Sequence, residues 1–463
     1  MGLVSSGLAL FMTIPAWSQT DTTSTQGPVP AMVGLDKSSA PANSNENSDN
    51  ASDDRMLTPP PVSGQVYPVV STSEERSNYL RAGLAFTTAY TDNALASLET
   101  HPVSDVSYSV APMVALDETT PRQHALLTYA PGFTFYQHTS ALNATDQNAS
   151  IQYQYRLAPY LTFSAQDSFQ KTSNVFNQPD LTSIGTVSGG AQGANFSVIS
   201  PIADRLSNTG TVGLSYQFTL NDMIGGSGTF SNLHYPDPAE VPGLFDSSSQ
   251  AGLAFYSHRF SKTNYVGVTY QYQRLLGYPT EGESETQTQA AMFFYTVYPT
   301  KRFSISLFGG PQYSDTIQIA PLSPLRQWTP AGGASLGWQG RLNTVAISYL
   351  HIISGGGGLG GAVQMDSANA SIRQLITKTL SATVGGGYAE NNILGTTLAG
   401  LTSGHSISGT ASLQQMIAQH IMVQLGYTRL HQSYGNVAVL ASNPDTNREF
   451  ISVSYQFARP LGR

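Results

Sequence analysis

Two side chains near the C-terminal end of the chain have the types and spacing that hydrolytic chemistry requires. His431 and Ser433 stand two residues apart in the sequence HQSYGN, residues 431–436. Residues i and i+2 of an extended strand point to the same face, so the imidazole could serve as base and the hydroxyl as nucleophile. Such a pair also needs a third group to orient the base. The sequence favours the simpler alternative, a polar strand end without catalytic function, and predicts that the protein is not an enzyme.

The strand that would carry this pair belongs to a chain with strong two-residue periodicity. The clearest example is the last stretch, Arg448 to Arg463. One face of this stretch carries Ile451, Val453, Tyr455 and Phe457, and the other carries Ser452, Ser454 and Gln456. This alternation predicts a β-strand with one apolar and one polar face. In an outer-membrane barrel the apolar face contacts lipid and the polar face lines the lumen.

Similar segments recur along the chain from Tyr79 onward. The predicted strands are 79–91, 104–116, 122–137, 146–157, 159–172, 207–219, 222–233, 248–259, 263–275, 285–298, 301–315, 327–339, 342–353, 364–375, 377–390, 406–417, 419–431 and 447–458. Each is long enough to cross a bilayer as a tilted strand of about 9–11 residues. The pattern predicts an all-β fold: a transmembrane antiparallel up-and-down β-barrel of about 18 strands (16–18). A soluble secreted β-solenoid or sandwich is the alternative fold.

The connections between these segments alternate between short and long. Short ones include 117–121, 221–222 and 340–341, whereas long ones include 178–203 and 393–404. Short periplasmic turns and long external loops are typical of outer-membrane barrels. Aromatic residues near strand ends are candidates for interfacial girdles: Tyr160, Tyr298, Phe303, Tyr313, Tyr349 and Phe457.

Composition and the N-terminal region agree with this interpretation. Only 11% of residues are charged, no Cys occurs, and the net charge of −8 argues against a nucleic-acid partner. Residues 1–18 resemble a secretory signal peptide, although no Lys or Arg precedes the apolar run. Residues 19–76 are rich in Ser, Thr, Pro, Asn and Asp and predict a disordered periplasmic arm. The barrel is expected to occupy residues 77–463.

Two short motifs resemble a known family. Tyr90-Thr91-Asp92-Asn93 is similar to a Tyr-x-Asp-Asn signature of the β-barrel porin 2 family, and residues 452–463 are similar to that family's end. The resemblance implies a barrel in the outer membrane of a Gram-negative bacterium, in contact with outer-membrane lipid and lipopolysaccharide. It also implies an association with exopolysaccharide production and export. Neither motif implies catalysis or a cofactor.

The polar faces of the predicted strands define a candidate lumen. Its lining residues are Ser215, Gln217, Thr269, Gln271, Gln273, Ser304, Ser306, Ser452, Ser454 and Gln456. Uncharged hydroxyl and amide groups would favour neutral solutes such as sugars, because lumen residues set porin selectivity. The alternative is that these side chains only wet the pore, which then selects by size.

The longest loop, Asn174 to Arg205, is the third external loop. General porins resemble one another in folding this loop inward, so Asp180, Asp204 and Arg205, its charged residues, are assigned to a candidate constriction. A mobile external loop is the equal alternative. Asp167 shares a face with apolar residues, so a bulge or a position beyond the bilayer is expected there.

Three functions remain open from the sequence. The first is a porin-like channel for polysaccharide export or neutral sugars, with a saccharide as possible solute. The second is a plugged surface barrel whose external loops bind a partner. The third is a lipid hydrolase, because residues 431–434 resemble the His-x-Ser-Asn pattern of outer-membrane phospholipases, although Tyr434 stands where Asn is expected.

Overall fold

The structure, a computed structural model, describes most of the chain after Tyr79. The described residues are 56, 78–95, 102–172, 204–239, 241, 243–279, 282–300, 302–317, 323–355, 358–359, 361–394, 404–418, 420–434 and 445–460. The predicted signal peptide and, apart from Met56, the predicted arm lie outside these residues.

Eighteen strands, β1 to β18, form one sheet within the described residues. In chain order they are Tyr79–Thr91, Asp105–Thr119, Gln123–Tyr136, Ala144–Ala158, Leu161–Thr172, Arg205–Gln217, Asp222–His234, Asp246–Ser261, Asn264–Tyr278, Ser284–Thr300, Phe303–Ile317, Leu325–Gln339, Asn343–Ser354, Val363–Leu375, Leu380–Ile393, Gly404–Ala418, Ile421–Tyr434 and Asp445–Pro460. A single 3-10 turn, Ser140–Leu142, follows β3. In these parts of the chain no helix is long and apolar enough to cross a membrane.

The sheet closes on itself. Each strand pairs antiparallel with the next, and β1 pairs with both β2 and β18. The β1–β18 ladder runs from the Tyr79↔Pro460 pair to the Thr91↔Arg448 pair without a shift of register. Closure leaves no sheet edge with unpaired backbone groups, which is the condition for a sheet to survive in lipid. The predicted 18-stranded antiparallel barrel is confirmed.

The outer face of the wall is apolar. In β18 the side chains of Ile451, Val453, Tyr455 and Phe457 are 44–50% exposed, whereas Ser454 between them is 6% exposed. The same alternation recurs around the ring, for example in Val212, Leu214 and Tyr216 of β6. A continuous apolar belt of this extent is unfavourable in water and favourable against hydrocarbon.

Short and long connections lie at opposite ends of the barrel. The connection between β6 and β7 is 218–221 and that between β12 and β13 is 340–342, whereas 173–204 connects β5 to β6. An up-and-down sheet places successive connections at alternate ends, so all turns of one class share an end. The short connections at one end and the long ones at the other agree with the arrangement predicted from the sequence.

Of the two alternatives expected for Asp167, the bulge is wrong, and a position beyond the bilayer stays a prediction. The β5–β6 register is continuous from Leu161 to Thr172, and Asp167 lies on the outer face opposite Gly210. Its carboxylate accepts hydrogen bonds from Nδ2 of Asn208, at 3.1 and 3.4 Å. A hydrogen-bonded neighbour, rather than an irregular backbone, reduces the cost of a carboxylate on this face.

Candidate functional site

The ten residues predicted to line the lumen lie on the inner face, because they alternate with the exposed apolar side chains of the same strands. They are Ser215, Gln217, Thr269, Gln271, Gln273, Ser304, Ser306, Ser452, Ser454 and Gln456. Some bond to hydroxyls of the neighbouring strand. The Ser306 hydroxyl lies 2.8 Å from that of Thr296, and Thr87 donates to Ser452 at 2.8 Å. That solutes pass over these residues stays a prediction.

The end of the β13–β14 hairpin leaves the wall and folds inward. Pairing between β12 and β13 ends at His351, whereas β13 stays paired with β14 as far as Ser354. The N–H of Ile353 donates to Oε1 of Gln312, at 3.3 Å, and the Gln312 side chain lies on the inner face of β11. The described residues of 352–363 (352–355, 358–359 and 361–363), hereafter the inward hairpin, therefore cross the inner face of β12.

A second loop supports the inward hairpin. The described residues between β7 and β8 (235–239, 241 and 243–245), hereafter loop 235–245, turn inward, and Tyr235, at 1% exposure, is fully enclosed. The N–H of Phe245 donates to the carbonyl oxygen of Gly358 at 2.7 Å. Gly358 has a φ of 102°, and a Cβ there would lie 2.7 Å from the Tyr235 hydroxyl oxygen. Both its backbone conformation and this close contact require glycine.

The two inward segments pack on an apolar sector of the inner wall. Val241, Leu244 and Leu359 are buried in one cluster with inner residues of β10 and β11. Those wall residues are Ala290, Met292, Phe294 and Phe308. Burying three aliphatic side chains stabilises the inward arrangement by about 5 kcal/mol or more.

Arg205 connects the wall to loop 235–245. It is the first residue of β6, faces inward, and hydrogen-bonds the Tyr235 side chain. Burial raises the pKa of Tyr235 to about 12. The phenol therefore stays protonated at physiological pH, so this contact joins a cation to a neutral hydroxyl.

A groove separates the inward hairpin from the inner wall of β6–β9. It contains a cavity of about 80 Å³. The wall contributes both polar and apolar side chains. The hydroxyl and amide side chains include Thr209, Thr229, Ser231, Ser249, Gln271 and Gln273, and the apolar ones are Leu233, Ala251, Leu275 and Leu276. The hairpin contributes apolar side chains: Ile352, Ile353, Leu359 and Ala362. The described residues that line the groove include no charged side chain.

Charged inner-face residues cluster in another sector, formed by β1, β2, β3 and β18. Asp117 lies 3.9 Å from the guanidinium of Arg81 and 3.2 Å from Nε2 of His124. Arg448 lies with its guanidinium carbon 5.7 Å from the ring centroid of Phe450. The uncharged hydroxyl and amide lining predicted for the lumen therefore fits the groove sector, whereas this sector carries charged side chains.

The predicted constriction loop is tested only at its end. Asp180 lies outside the described residues. Asp204 forms an ion pair with Lys171, with Nζ and Oδ2 2.9 Å apart. Arg205 is the first residue of β6 rather than part of the loop, and its role in a constriction stays a prediction. Among the described residues, those of 235–245 and 352–363 enter the barrel from this end.

The candidate catalytic pair lies on the outer face near the long-loop end of β17. His431 and Ser433 share that face, as the spacing predicts. Nδ1 of His431 lies 2.8 Å from Oδ1 of Asp445. The other carboxylate oxygen of Asp445, Oδ2, lies 3.5 Å from Nη2 of Arg429. The histidine thus belongs to a cluster of polar side chains that joins β17 to β18.

We expect Ser433→Ala to leave lipid hydrolysis unchanged, because no hydrogen bond joins Ser433 to His431 in the described chain, even though Asp445 on Nδ1 could orient the imidazole. Fatty-acid release from phospholipid micelles by the refolded protein is the measurement. Hydrolysis by the wild type above an unfolded-protein blank, lost in Ser433→Ala, would contradict this prediction and restore the hydrolase alternative.

The apolar inner sector is the part of the site that strand alternation does not predict. A signal for it is present in residues 290–295, Ala-Ala-Met-Phe-Phe-Tyr, which are apolar on both faces. A strand buried on both faces shows such a continuous run. Val241 and Leu359 stand alone in polar or Gly-rich loops and carry no such signal.

Together these features define the class of protein. A closed barrel of 18 antiparallel strands, an apolar outer belt, and short turns opposite long loops are the architecture of Gram-negative outer-membrane proteins. The chain is an outer-membrane β-barrel. Its long loops are external and its short turns are periplasmic.

No family model matches the chain, and no curated protein matches it. Solved structures match at the level of fold. The outer membrane protein OpdK from Pseudomonas aeruginosa is 12% identical over 82% of this chain and 99% of its own, with a TM-score of 0.39. OccK2 (OpdF) of the same organism is 11% identical over 82% and 98%, with a TM-score of 0.41. The FrpB iron transporter from Neisseria meningitidis is 7% identical over 79% and 64%, with a TM-score of 0.39.

Proposed function

We propose that the protein is a channel for small neutral, hydroxylated solutes such as sugars. The observation that carries the proposal is the groove, whose wall presents hydroxyls and amides beside a few leucines and whose opposite side is mainly apolar. A sugar ring has hydroxyls around its edge and C–H groups on its faces, so both sides of the groove complement it. An ion would lose hydration there without gaining a partner charge.

The size of the groove favours a small solute. A cavity of about 80 Å³ holds roughly five to eight water molecules, at about 10–15 Å³ each on this measure. Export of a polysaccharide, which the family resemblance implies, would need the inward hairpin to leave the lumen. We therefore propose single sugars, in preference to a polymer, as the solute.

The second candidate is a plugged barrel whose external loops bind a partner. It is supported by the apolar cluster that fixes 235–245 and 352–363 inside the barrel. A barrel sealed by these segments would fold normally and conduct nothing. Conductance therefore separates the two functions.

The deciding experiment is planar-bilayer conductance of the refolded protein, combined with swelling of proteoliposomes in sugar solutions. Stable steps in conductance, and swelling that is faster in glucose than in a trisaccharide, support the channel. A folded, heat-modifiable protein without conductance or swelling would overturn it in favour of the plugged barrel.

Two charges in the groove should convert a neutral path into a cation-selective one. In Gln271→Glu/Gln273→Glu the carboxylates replace amides at nearly constant volume and attract cations. We expect the reversal potential in a KCl gradient to shift by tens of millivolts toward the potassium potential. Gln289→Glu, on the outer face of β10, is the matched control and should not shift it. Equal selectivity of the double variant and the wild type would contradict the assigned path.

A further inference from the structure

Large apolar side chains are exposed in and beside the periplasmic turns. They are Leu157, Tyr160, Leu220, Phe260, Leu342 and Ile376, each 48–69% exposed. Such side chains mark the level at which a barrel passes from hydrocarbon to lipid headgroups. The sequence predicts Tyr298 for the aromatic girdle at this level, but Tyr298 faces inward and lies edge to face with Tyr265, with ring centroids 6.2 Å apart. That prediction is therefore wrong for Tyr298.

The periplasmic connections also carry cations. Five of the eight connections at this end contain a described Lys or Arg: Arg122, Lys262, Arg302, Arg341 and Lys378. All five side chains are exposed. Because the connections follow alternate strands, these residues, hereafter the basic collar, are spread around the ring from β2 to β15.

The collar differs from the cations at the external end of the outer face. There Lys171, Arg274, Arg326 and Arg429 each lie 2.7–3.5 Å from a carboxylate oxygen. Within the described chain no carboxylate forms an ion pair with a member of the collar. The external cations thus have their counter-charge in the protein, whereas the described chain supplies none for the collar.

Few acidic side chains are available at the periplasmic end. Those described there are Asp117, Glu118 and Asp222. Asp117 lies on the inner face, 3.9 Å from the guanidinium of Arg81, and the carboxylate of Asp222 lies 2.7 Å from Nδ1 of His258. The described periplasmic rim therefore carries an excess of positive charge, which attracts anions from outside the chain.

The position of the collar identifies a lipid as its partner. Its members lie just beyond the apolar belt, at the height of the headgroups of the periplasmic leaflet, where Lys and Arg reach lipid phosphates. An anionic headgroup presents a phosphate without a cation of its own, whereas a zwitterionic headgroup carries an ammonium group that competes for the phosphate. We propose that the basic collar binds anionic glycerophospholipid, such as phosphatidylglycerol, in the periplasmic leaflet. The proposal does not depend on whether the barrel conducts.

Two tryptophans report on the two ends of one strand. Trp338 lies on the outer face of β12 beside the collar, because its ring centroid is 6.1 Å from that of Phe303, which follows Arg302, and Arg341 comes three residues later. Trp328 lies on the same face at the external end of β12 and is 71% exposed. The two positions are about 33 Å apart along the strand. A lipid that binds the collar therefore contacts Trp338 but not Trp328.

The test is fluorescence quenching by lipids with brominated acyl chains, in the full chain reconstituted in phosphatidylcholine vesicles. The chain has three Trp, so Trp17→Phe/Trp328→Phe leaves only Trp338, and Trp17→Phe/Trp338→Phe leaves only Trp328. Brominated phosphatidylglycerol and brominated phosphatidylcholine are compared at equal fractions. At Trp338 we expect phosphatidylglycerol to bind about fivefold or more tightly than phosphatidylcholine, since each cation near an anionic lipid contributes about that factor. At Trp328 we expect no preference for phosphatidylglycerol.

Charge removal makes the test specific to the collar. Arg302→Gln/Arg341→Gln should bring the preference at Trp338 close to one, and salt at about 0.5 M should weaken it in the unchanged collar. Arg326→Gln, which removes a paired cation at the external end, is the matched control and should leave the preference at Trp338 unchanged. A heat-modifiable band verifies that each variant is folded. Equal quenching of Trp338 by the two brominated lipids, or a preference that survives Arg302→Gln/Arg341→Gln, would overturn the proposal.

Discussion

Leu359→Asp should raise single-channel conductance at least about twofold, because conductance follows the open cross-section of the lumen. Leu359 is 3% exposed and packs with Val241 and Leu244 on the wall. A carboxylate cannot remain in that cluster without a partner. Moving the inward hairpin into water costs less than burying the charge, so the groove should open. Planar-bilayer recordings measure the change.

Two further variants make this result specific. Leu220→Asp changes the same residue type in an exposed periplasmic turn, where Leu220 is 57% exposed, and should conduct as the wild type does. Leu359→Ala removes contacts without adding a charge, so it should also raise single-channel conductance, but by less than Leu359→Asp does. Wild-type conductance and sugar swelling in Leu359→Asp, with a normal heat-modifiable band, would show that the hairpin does not limit the path.

The strands were predictable because lipid imposes a strict rule on the sequence. A wall between lipid and a wet lumen must alternate, and the predicted 79–91 and 222–233 match the observed Tyr79–Thr91 and Asp222–His234 almost residue for residue. Strand number followed from counting segments between turn signals. The pairing of β1 with β18 could then be predicted as well, because in lipid the backbone hydrogen bonds of both terminal strands are satisfied only when the barrel closes.

The inward segments were not predictable by the same rule. Strand periodicity reports which side of a strand faces lipid, but it does not report what lies against the other side. Residues 290–295 depart from alternation, and this departure marks a covered inner wall. The covering chain, in 235–245 and 352–363, contributes single apolar residues whose partners are distant in sequence. Only the three-dimensional structure joins these to the wall.

The Tyr90-Thr91-Asp92-Asn93 motif has a physical role at the seam of the barrel. The Asp92 carboxylate accepts the backbone N–H of Asn447 at 2.8 Å and its Nδ2 at 2.6 Å. The N–H of Asp92 donates to the Asn447 carbonyl oxygen at 3.1 Å, and Asn93 donates to that of Asp445 at 3.4 Å. The motif therefore fastens the first strand to the last beyond the end of their ladder.

Asp92→Ala should destabilise the barrel by about 3 kcal/mol, because it removes two hydrogen bonds to a carboxylate, each contributing about 1.5–3 kcal/mol. Loss at the seam frays the β1–β18 ladder, which closes the described sheet, and exposes two strand edges. The measurement is the urea concentration at which the folded, heat-modifiable band is lost. We expect a lower midpoint with an unchanged slope.

Asp92→Asn should fall between the wild type and Asp92→Ala, since an amide oxygen can still accept the Asn447 N–H but cannot serve both donors as a carboxylate does. Asp315→Ala is the matched control: its exposed pair with Arg326, 3.0 Å apart, contributes little at a surface. A double-mutant cycle with Asn447→Ala isolates the seam contact from other effects. If Asp92→Ala and Asp315→Ala lower the midpoint equally, the motif does not fasten the seam, and closure rests on the β1–β18 ladder alone.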